Sequence, residues 1–246
     1  MSLTIAHISD LHIGESPDRL RDAGALYKRI KELGVDYVFV TGDVTNNGLV
    51  HQSDQFQELF ADFVSSNRLM VVPGNHDRLG DGVARLMMGN KRVKIIKKDG
   101  MHVVAVDTTA PHNRFYLLAH GRLDRPLMRS IEKAVAAADP GEAVIVALHH
   151  HVLQQEEDLW LEKVSSFFRL PMALELAMGH QLVQKLLGRC DLILHGHRHK
   201  PLATHIEAAK RALGVYNAGA SAQLKKFRLF RFVNGKPFGT PQWIGY

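Results

Sequence analysis

Short, uninterrupted apolar runs alternate along the chain with longer stretches in which apolar residues recur every three or four positions. Such runs are typical of strands buried on both faces, and the longer repeat is typical of amphipathic helices. The runs predict strands at residues 3–8, 35–40, 68–72, 101–106, 143–148, 192–194, 202–206, 213–217 and 227–233. The helical repeat predicts helices at residues 18–33, 52–66 and 123–138. This alternation indicates an α/β chain.

The segment 154–187 departs from this alternation. It begins with three acidic residues and continues as two helix-like stretches separated by Pro171. Its apolar residues recur at helical spacing, which fits an ordinary amphipathic helix pair and also fits a cap over a functional site or a dimer face. We expect a single domain over residues 1–246, with a helical insertion or cap at about 154–187. Homo-oligomerisation through this segment stays open.

The composition is that of a globular chain, with 46% hydrophobic and 23% charged residues over 246 positions. The apolar runs are far shorter than the roughly 20 residues that a membrane-spanning helix needs. No basic segment followed by a longer apolar stretch indicates a signal peptide. Cys190 is the single cysteine, so no internal disulfide can form and a reducing compartment is favoured. We therefore expect a cytoplasmic protein without a membrane span.

The formal net charge of +6 does not by itself distinguish between classes of binding partner. A basic balance suits nucleic acid and equally suits a small anionic substrate. The lysines and arginines are scattered, which is typical of a solvated surface, so nucleic acid is not the expected partner. The 15 histidines, several of them close together, are the compositional sign of a metal site.

Five of the predicted strands run directly into side chains that can bind metals. After successive strands come Asp10 and His12; Asp43; Asn75, His76 and Asp77; His149, His150 and His151; and His195, His197 and His199. Ligands gather at the carboxyl ends of strands in open α/β sheets, so these side chains converge if the strands lie side by side. Carboxylates and imidazoles without thiolates suit Mn, Fe, Zn, Co or Ni. Two carboxylates beside two divalent ions leave a net positive cluster, which suits a phosphate anion.

These blocks, in this order, resemble the signature of the calcineurin-like metallophosphoesterases. The pattern includes Gly42 before Asp43, Gly74 before Asn75 and Gly196 before His197, and it spans residues 10 to 199. Spacing and length most resemble the bacterial branch that includes class III cyclic nucleotide phosphodiesterases. The resemblance implies a four-layer αββα sandwich of two mixed β-sheets.

The resemblance also implies a role for each residue. It assigns the first metal to Asp10, His12 and His199, the second metal to Asn75, His149 and His197, and both metals to Asp43. His76 would contact the phosphate and help to protonate the leaving oxygen, and Asp77 would orient His76. His150 is the alternative to His149 as a ligand, and His195 is read as a strand-end histidine packed near the site.

The activity that the resemblance implies is hydrolysis of a phosphodiester, with a cyclic nucleotide as one candidate, by attack of a metal-bound hydroxide on a small phosphorylated substrate. A phosphomonoesterase and a nucleotide-sugar-lipid pyrophosphatase are the alternatives within the enzyme class. The pyrophosphatases of lipid A synthesis usually carry Arg where this chain has His76. A nuclease and a non-catalytic scaffold complete the alternatives, and the scaffold is disfavoured because every ligand position is filled.

Overall fold

Two β-sheets, each with helices on its outer face, form the protein, whose computed structural model describes residues 2–153 and 176–246. The strands are β1 (Ser2–Ile8), β2 (Tyr37–Thr41), β3 (Leu69–Val72), β4 (Val93–Lys98), β5 (Met101–Val106), β6 (Ala143–Ala147), β7 (Leu192–His195), β8 (Leu202–Ile206), β9 (Leu213–Asn217), β10 (Lys226–Val233), β11 (Lys236–Pro237) and β12 (Gln242–Gly245). The α-helices are α1 (Pro17–Glu32), α2 (Val50–Leu59), α3 (Ala61–Ser65), α4 (Ala84–Met88), α5 (Arg125–Ala136), α6 (Gly179–Leu186) and α7 (Ser221–Leu224). Short 3₁₀ helices cover His76–Arg78 and Pro111–Arg114.

Both sheets are mixed. In the first sheet the order is β11-β10-β1-β2-β3, with β12 also paired to β10. Its strands β1, β2 and β3 are parallel, and β10 runs antiparallel to β1. In the second sheet the order is β4-β5-β6-β7-β9-β8, in which β5, β6, β7 and β9 are parallel and the two edge strands are antiparallel. The parallel strands of each sheet therefore present their carboxyl ends at one edge.

Alternate residues of the central strands pack into different layers, because successive side chains of a strand point to opposite faces. Ile5 of β1 and Val103 of β5 belong to the cluster between the two sheets. Ile8 packs with the buried faces of α1, α2 and α3, whereas Val104 packs with α5 and α6. The order of layers is helices, sheet, sheet, helices. The predicted αββα sandwich is confirmed, and burial on both faces explains why its strands read as continuous apolar runs.

The helix ends follow local chemistry. Asp124 precedes α5, and its carboxylate accepts the backbone N–H of Leu127 at 3.0 Å, which satisfies one of the unpaired donors of the first turn. The same helix buries the face that carries Met128, Ile131 and Val135. This burial fixes α5 against the second sheet.

Some predicted elements differ from the structure. The single helix predicted at 52–66 is two helices, because Phe60 (φ −100°, ψ 21°) leaves the helical conformation between α2 and α3. The break lets Phe56, Phe60 and Phe63 all enter one buried cluster. The edge strand β4 was not predicted, since it is largely exposed and rich in lysine. Residues 154–175 of the predicted cap lie outside the described residues, and α6 follows them.

None of the helices within residues 2–153 and 176–246 combines the length and apolar character that crossing a membrane requires.

Removing a large side chain from the layer between the sheets should destabilise the fold. Phe230 of β10 is 2% exposed and makes an edge contact with the Tyr216 ring at 5.0 Å between centroids. We expect Phe230→Ala to lower the free energy of unfolding by about 3–5 kcal/mol, since it leaves a cavity. Urea unfolding followed by circular dichroism should show a lower midpoint with an unchanged slope.

Phe238 supplies the matched control, because its side chain is 63% exposed. Phe238→Ala should change the free energy of unfolding by no more than about 0.5 kcal/mol. Equal effects of the two substitutions would contradict the assignment of Phe230 to the inner core.

Candidate metal centre

The carboxyl ends of the parallel strands of both sheets meet at one place. The loops after β1 and β2 run side by side, with the Asp10 N–H donating to Gly42 O and the His12 N–H donating to Asp43 O, both at 3.0 Å. Across the sheets, His149 Nδ1 lies 2.7 Å from the Thr41 carbonyl oxygen. These contacts bring together the ends of strands that belong to different sheets. The convergence expected from the sequence is therefore present.

Five predicted ligands share an uncommon backbone conformation. Their φ angles are positive: Asp10 (54°), His12 (48°), Asp43 (49°), His197 (76°) and His199 (54°). Residues with a Cβ rarely adopt this left-handed region, and strain of this kind clusters at functional sites. In each case the chain turns sharply after a strand and directs the side chain into the shared space.

The first group contains Asp10, His12 and His199, each of which offers a ligand atom within 4.8 Å of the others. The Nε2 atoms of His12 and His199 are 3.0 Å apart, and His199 Nε2 is 3.4 Å from Asp10 Oδ1. The Asp10 carboxylate also accepts the His197 N–H at 3.1 Å. Asp10 therefore joins the loop after β1 to the loop after β7.

The second group surrounds Asn75. Its Oδ1 lies 3.2 Å from His149 Nε2 and 3.0 Å from His197 Nδ1. Asp43 lies between the two groups, with Oδ2 at 3.2 Å from His149 Nε2 and 4.0 Å from His12 Nε2. The structure therefore brings all seven predicted ligands together, with Asp43 between the two groups.

The charges of the site are set by burial and by close neighbours. Burial opposes the negative charge of Asp43, but the nearby His149 and His76 hold its pKa well below the ordinary value. Burial likewise opposes a positive charge on His149, yet the Asp43 carboxylate raises its pKa to about 9. Burial lowers the pKa of His12 to about 4. Asp43 is thus ionised, and His12 is neutral, as a metal ligand must be; the proton that Asp43 holds on His149 would be displaced when a metal ion binds.

The donor set fits two divalent metal ions. The ligand atoms are carboxylate and amide oxygens and imidazole nitrogens, the set that first-row divalent metals accept. His197 Nε2 is buried and has no hydrogen-bond partner among the described residues. The ring nitrogens of His12 and His199 face each other at 3.0 Å, and a cation bound between them would stabilise this arrangement. No cysteine approaches this set, because Cys190 is hydrogen bonded to Val144 O beyond the other end of the strands.

Two glycines make the close approach of the ligands possible. A Cβ at residue 74 would lie 2.1 Å from Asp43 Oδ1, and one at residue 196 would lie 1.9 Å from Ser9 Oγ and 2.4 Å from Asp10 Oδ2. No side chain fits at such distances. The lack of room for a side chain therefore explains why residues 74 and 196 are Gly74 and Gly196.

His76 stands beside the ligands, but its partner differs from the predicted one. Its Nδ1 lies 2.8 Å from the Asn46 carbonyl oxygen, so the structure shows no direct contact of Asp77 with the ring. Asp77 instead accepts the N–H groups of Gly74 and Thr45, both at 2.9 Å. Burial, followed by the Asp43 charge, raises the pKa of Asp77 to about 6. Asp77 holds the loop that carries His76 rather than the imidazole itself.

The neighbouring histidines have other contacts. His150 Nδ1 lies 2.7 Å from Thr108 Oγ1 and its Nε2 lies 2.9 Å from Ala119 O, so both of its ring nitrogens contact residues outside the predicted ligand set, whereas His149 Nε2 faces Asn75 and Asp43. His151 stacks on His197 with 5.6 Å between ring centroids. His195 is 1% exposed and packs at the end of β7, as predicted.

Three residues that support the site were missed from the sequence. Thr45 holds Asp77 through both its N–H and its hydroxyl group. Arg78 donates to Asp107 Oδ2 at 2.6 Å and to Thr109 Oγ1 at 2.5 Å. Asp107 follows the carboxyl end of β5, so its position after a buried strand was the signal that could have revealed it.

The family comparison agrees with this geometry. The model of the calcineurin-like phosphoesterases matches residues 3–201. The chain therefore belongs to this family of metal-dependent phosphoric ester hydrolases, and the family together with the ligand clusters supports a dinuclear divalent metal centre. A comparison with curated proteins found no match. The roles of individual residues, and the narrower resemblance to class III cyclic nucleotide phosphodiesterases, stay predictions.

Solved structures share the fold. A purple acid phosphatase from yellow lupin (Lupinus luteus) seeds has a TM-score of 0.66 at 14% identity, over 94% of this chain and 49% of the lupin chain. A dimetal phosphatase from Danio rerio has a TM-score of 0.64 at 11% identity, over 99% of both chains. A putative 5′-nucleotidase from Staphylococcus aureus has a TM-score of 0.60 at 12% identity, over 100% of this chain and 54% of the other. This chain thus spans about half of the lupin and staphylococcal proteins.

The position of Asp43 between the two groups predicts a selective effect on metal content. Asp43→Asn should reduce bound metal from about two ions per chain to one or none, because the shared carboxylate charge is lost. Metal analysis of the purified full chain after dialysis against Mn²⁺ would measure this. Wild-type protein should also unfold at a higher temperature with Mn²⁺ than after chelation, since binding to the folded state stabilises it.

Asp36→Asn is the matched control, because Asp36 binds the N–H and hydroxyl of Thr4 at the opposite end of β1. Its metal content should equal that of the wild type. Two tightly retained ions in Asp43→Asn would refute the shared role of this carboxylate.

Proposed function

We propose that this protein hydrolyses phosphodiesters at a dinuclear metal centre, with cyclic nucleotides as candidate substrates. The observation that supports it most directly is His76, an imidazole beside a complete ligand set. One of its ring nitrogens lies within 4.8 Å of the ligand atoms of His12 and Asp43. A histidine that the ligand set does not require is available for proton transfer.

The residues that would hold the metals are Asp10, His12 and His199 for one ion, Asn75, His149 and His197 for the other, and Asp43 for both. When bound, two divalent ions would supply Lewis acidity at the phosphoryl oxygens and would lower the pKa of water towards ~7. The protein fixes these ligands through strand ends and through hydrogen bonds between the loops. This rigidity means that little reorganisation is needed during reaction.

The hydrogen bond of His76 determines which of its two ring nitrogens can donate a proton to the substrate. Because Nδ1 lies 2.8 Å from Asn46 O, this nitrogen carries a proton and donates it to the carbonyl. Nε2 is therefore the ring nitrogen that can hold a second proton and donate it to a phosphoryl oxygen or to the leaving oxygen. Transfer of that proton to the leaving alkoxide would prevent build-up of negative charge as the P–O bond breaks.

The preference for a diester rests on the spacing of the motif blocks and the length of the chain, which most resemble the bacterial branch that includes class III cyclic nucleotide phosphodiesterases. A second candidate is a phosphomonoesterase. It is favoured by the structural neighbours, two of which are described as phosphatases and one as a putative 5′-nucleotidase. The two candidates use the same ligands and differ in the number of organic groups on phosphorus.

Hydrolysis after metal restoration would distinguish these candidates. The full chain should lose activity on treatment with a chelator and recover it with Mn²⁺. We expect kcat/KM for bis-p-nitrophenyl phosphate to exceed that for p-nitrophenyl phosphate by at least about tenfold, and cyclic AMP to be cleaved. A preference for the monoester would assign a phosphatase, and retention of all activity without metal would refute the proposed centre.

His76→Ala should lower kcat by about 10²–10⁴-fold, because the proton donor is removed. Metal content should remain near that of the wild type, since the ligand set is complete without His76. His102→Ala is the control, because His102 is buried against Ala134 O on the far side of the second sheet. Its kcat in the folded fraction should be unchanged, whereas full activity in His76→Ala would remove His76 from the mechanism.

A further inference from the structure

Three consecutive apolar residues are exposed at the edge of the metal centre. Phe115, Tyr116 and Leu117 are 68%, 67% and 67% exposed. We call these three residues the apolar rim. Single exposed apolar side chains are common on protein surfaces, but contiguous ones beside a polar site mark a place where a ligand binds.

Ring contacts connect the apolar rim to the candidate metal ligands. The His12 and His76 rings meet edge to face with 4.6 Å between centroids. The His76 and Tyr116 rings meet in the same way at 5.3 Å. Tyr116 is thus separated from a candidate ligand by the one imidazole that is proposed to act on the leaving oxygen. Any organic group attached to that oxygen lies within reach of Tyr116.

The loop that carries the rim is held by its own polar residues. The Asn113 side chain accepts the Ala110 N–H at 2.7 Å and donates to Leu118 O at 2.6 Å and to His120 O at 3.1 Å. His112 stacks on His120 with 4.1 Å between ring centroids. Asn113 is buried, whereas the three apolar side chains of the rim face solvent. Burial of apolar surface alone would favour the opposite arrangement, with the apolar side chains inside.

The same loop is tied to the residues around the metal centre. His150, next to the candidate ligand His149, contacts Ala119 O through Nε2 and Thr108 Oγ1 through Nδ1. A Cβ at Gly121 would lie 2.5 Å from the His150 ring, so the backbone passes closely over it. The rim therefore has a fixed position relative to His149 and His76.

We propose that the apolar rim binds an aromatic ring of the substrate, namely the base of a nucleotide, with Tyr116 as the main contact. This inference rests on the proposed function, because it assigns the organic group of the ester hydrolysed there. Aromatic side chains provide flat apolar faces on which bases stack, irrespective of the base. Small-molecule sites combine such surfaces with a few polar groups, which the metal centre supplies.

The size of the rim favours a small ligand over a second copy of the chain. Two aromatic side chains and one leucine, about two-thirds exposed, offer roughly 400 Å² at most. A stable protein interface buries about 800 Å² on each partner. A purine or pyrimidine ring, in contrast, is matched in area by one or two aromatic side chains.

The test compares ligands with and without a ring, in the Mn²⁺-loaded full chain. Calorimetric titration would give Kd for adenosine 5′-monophosphate and for inorganic phosphate. Tyr116→Ala should raise Kd for the nucleotide by about tenfold or more and leave Kd for phosphate within about twofold, because only the nucleotide carries a base. Tyr116→Phe keeps the ring and should bind the nucleotide within about twofold of the wild type.

Leu86→Ala is the matched control, because Leu86 of α4 is 70% exposed and lines a separate cavity with Val64 and Lys94, which contains none of the candidate ligands. It should change neither Kd. An equal loss of both ligands in Tyr116→Ala, no loss of the nucleotide, or failure of the wild type to bind the nucleotide more tightly than phosphate would overturn the proposal. So would conversion of a dimer to a monomer by Tyr116→Ala in sedimentation velocity, which would assign the rim to a second copy.

The binding measurement separates this proposal from the proposed function. Ring-dependent binding without hydrolysis of any diester would leave the rim as a base-binding surface and refute the phosphodiesterase. Diester hydrolysis with ring-independent binding would support the phosphodiesterase and refute the rim as a base-binding surface.

Discussion

The position of the Asp43 carboxylate is the constraint on which the rest of the site depends. It comes from the first sheet, yet its closest imidazole, His149 at 3.2 Å, comes from the second. The same aspartate accepts the His76 N–H at 2.8 Å. One buried carboxylate thus joins both sheets and the loop after β3. Its charge, which would be costly to bury alone, is stabilised by these donors and would be balanced by metal ions.

Holding Asp43 there requires conformations that an ordinary loop avoids. Five candidate ligands have positive φ, and two glycines lie where a Cβ would collide with a ligand oxygen. Such loops persist because the sandwich fixes both of their ends. The helices and the layer between the sheets keep β1, β2, β6 and β7 in register. The stability of the core therefore offsets the backbone strain and the burial of polar groups at the edge where the candidate ligands lie.

A layer of supporting contacts surrounds the ligands and extends to the surface. Asp77, Thr45, Arg78 and Asp107 hold the loop of His76, and His150 holds the loop of the apolar rim. None of these residues needs to touch a metal. Together they fix the position of the apolar rim relative to His76.

The sequence by itself determined the α/β class, most strands and the strand ends that carry metal-binding side chains, because buried strands have continuous apolar runs and these side chains follow them at once. The resemblance to the calcineurin-like metallophosphoesterases then selected the seven ligand candidates among them. It did not reveal β4, whose exposed edge needs few apolar residues, or the break at Phe60, which depends on packing into the core. Only the tertiary structure decided that Asn46, not Asp77, holds His76, and that His150 supports a distant loop. These contacts join residues up to 31 positions apart, and local sequence pattern carries no information about which loops the packing of two sheets brings together.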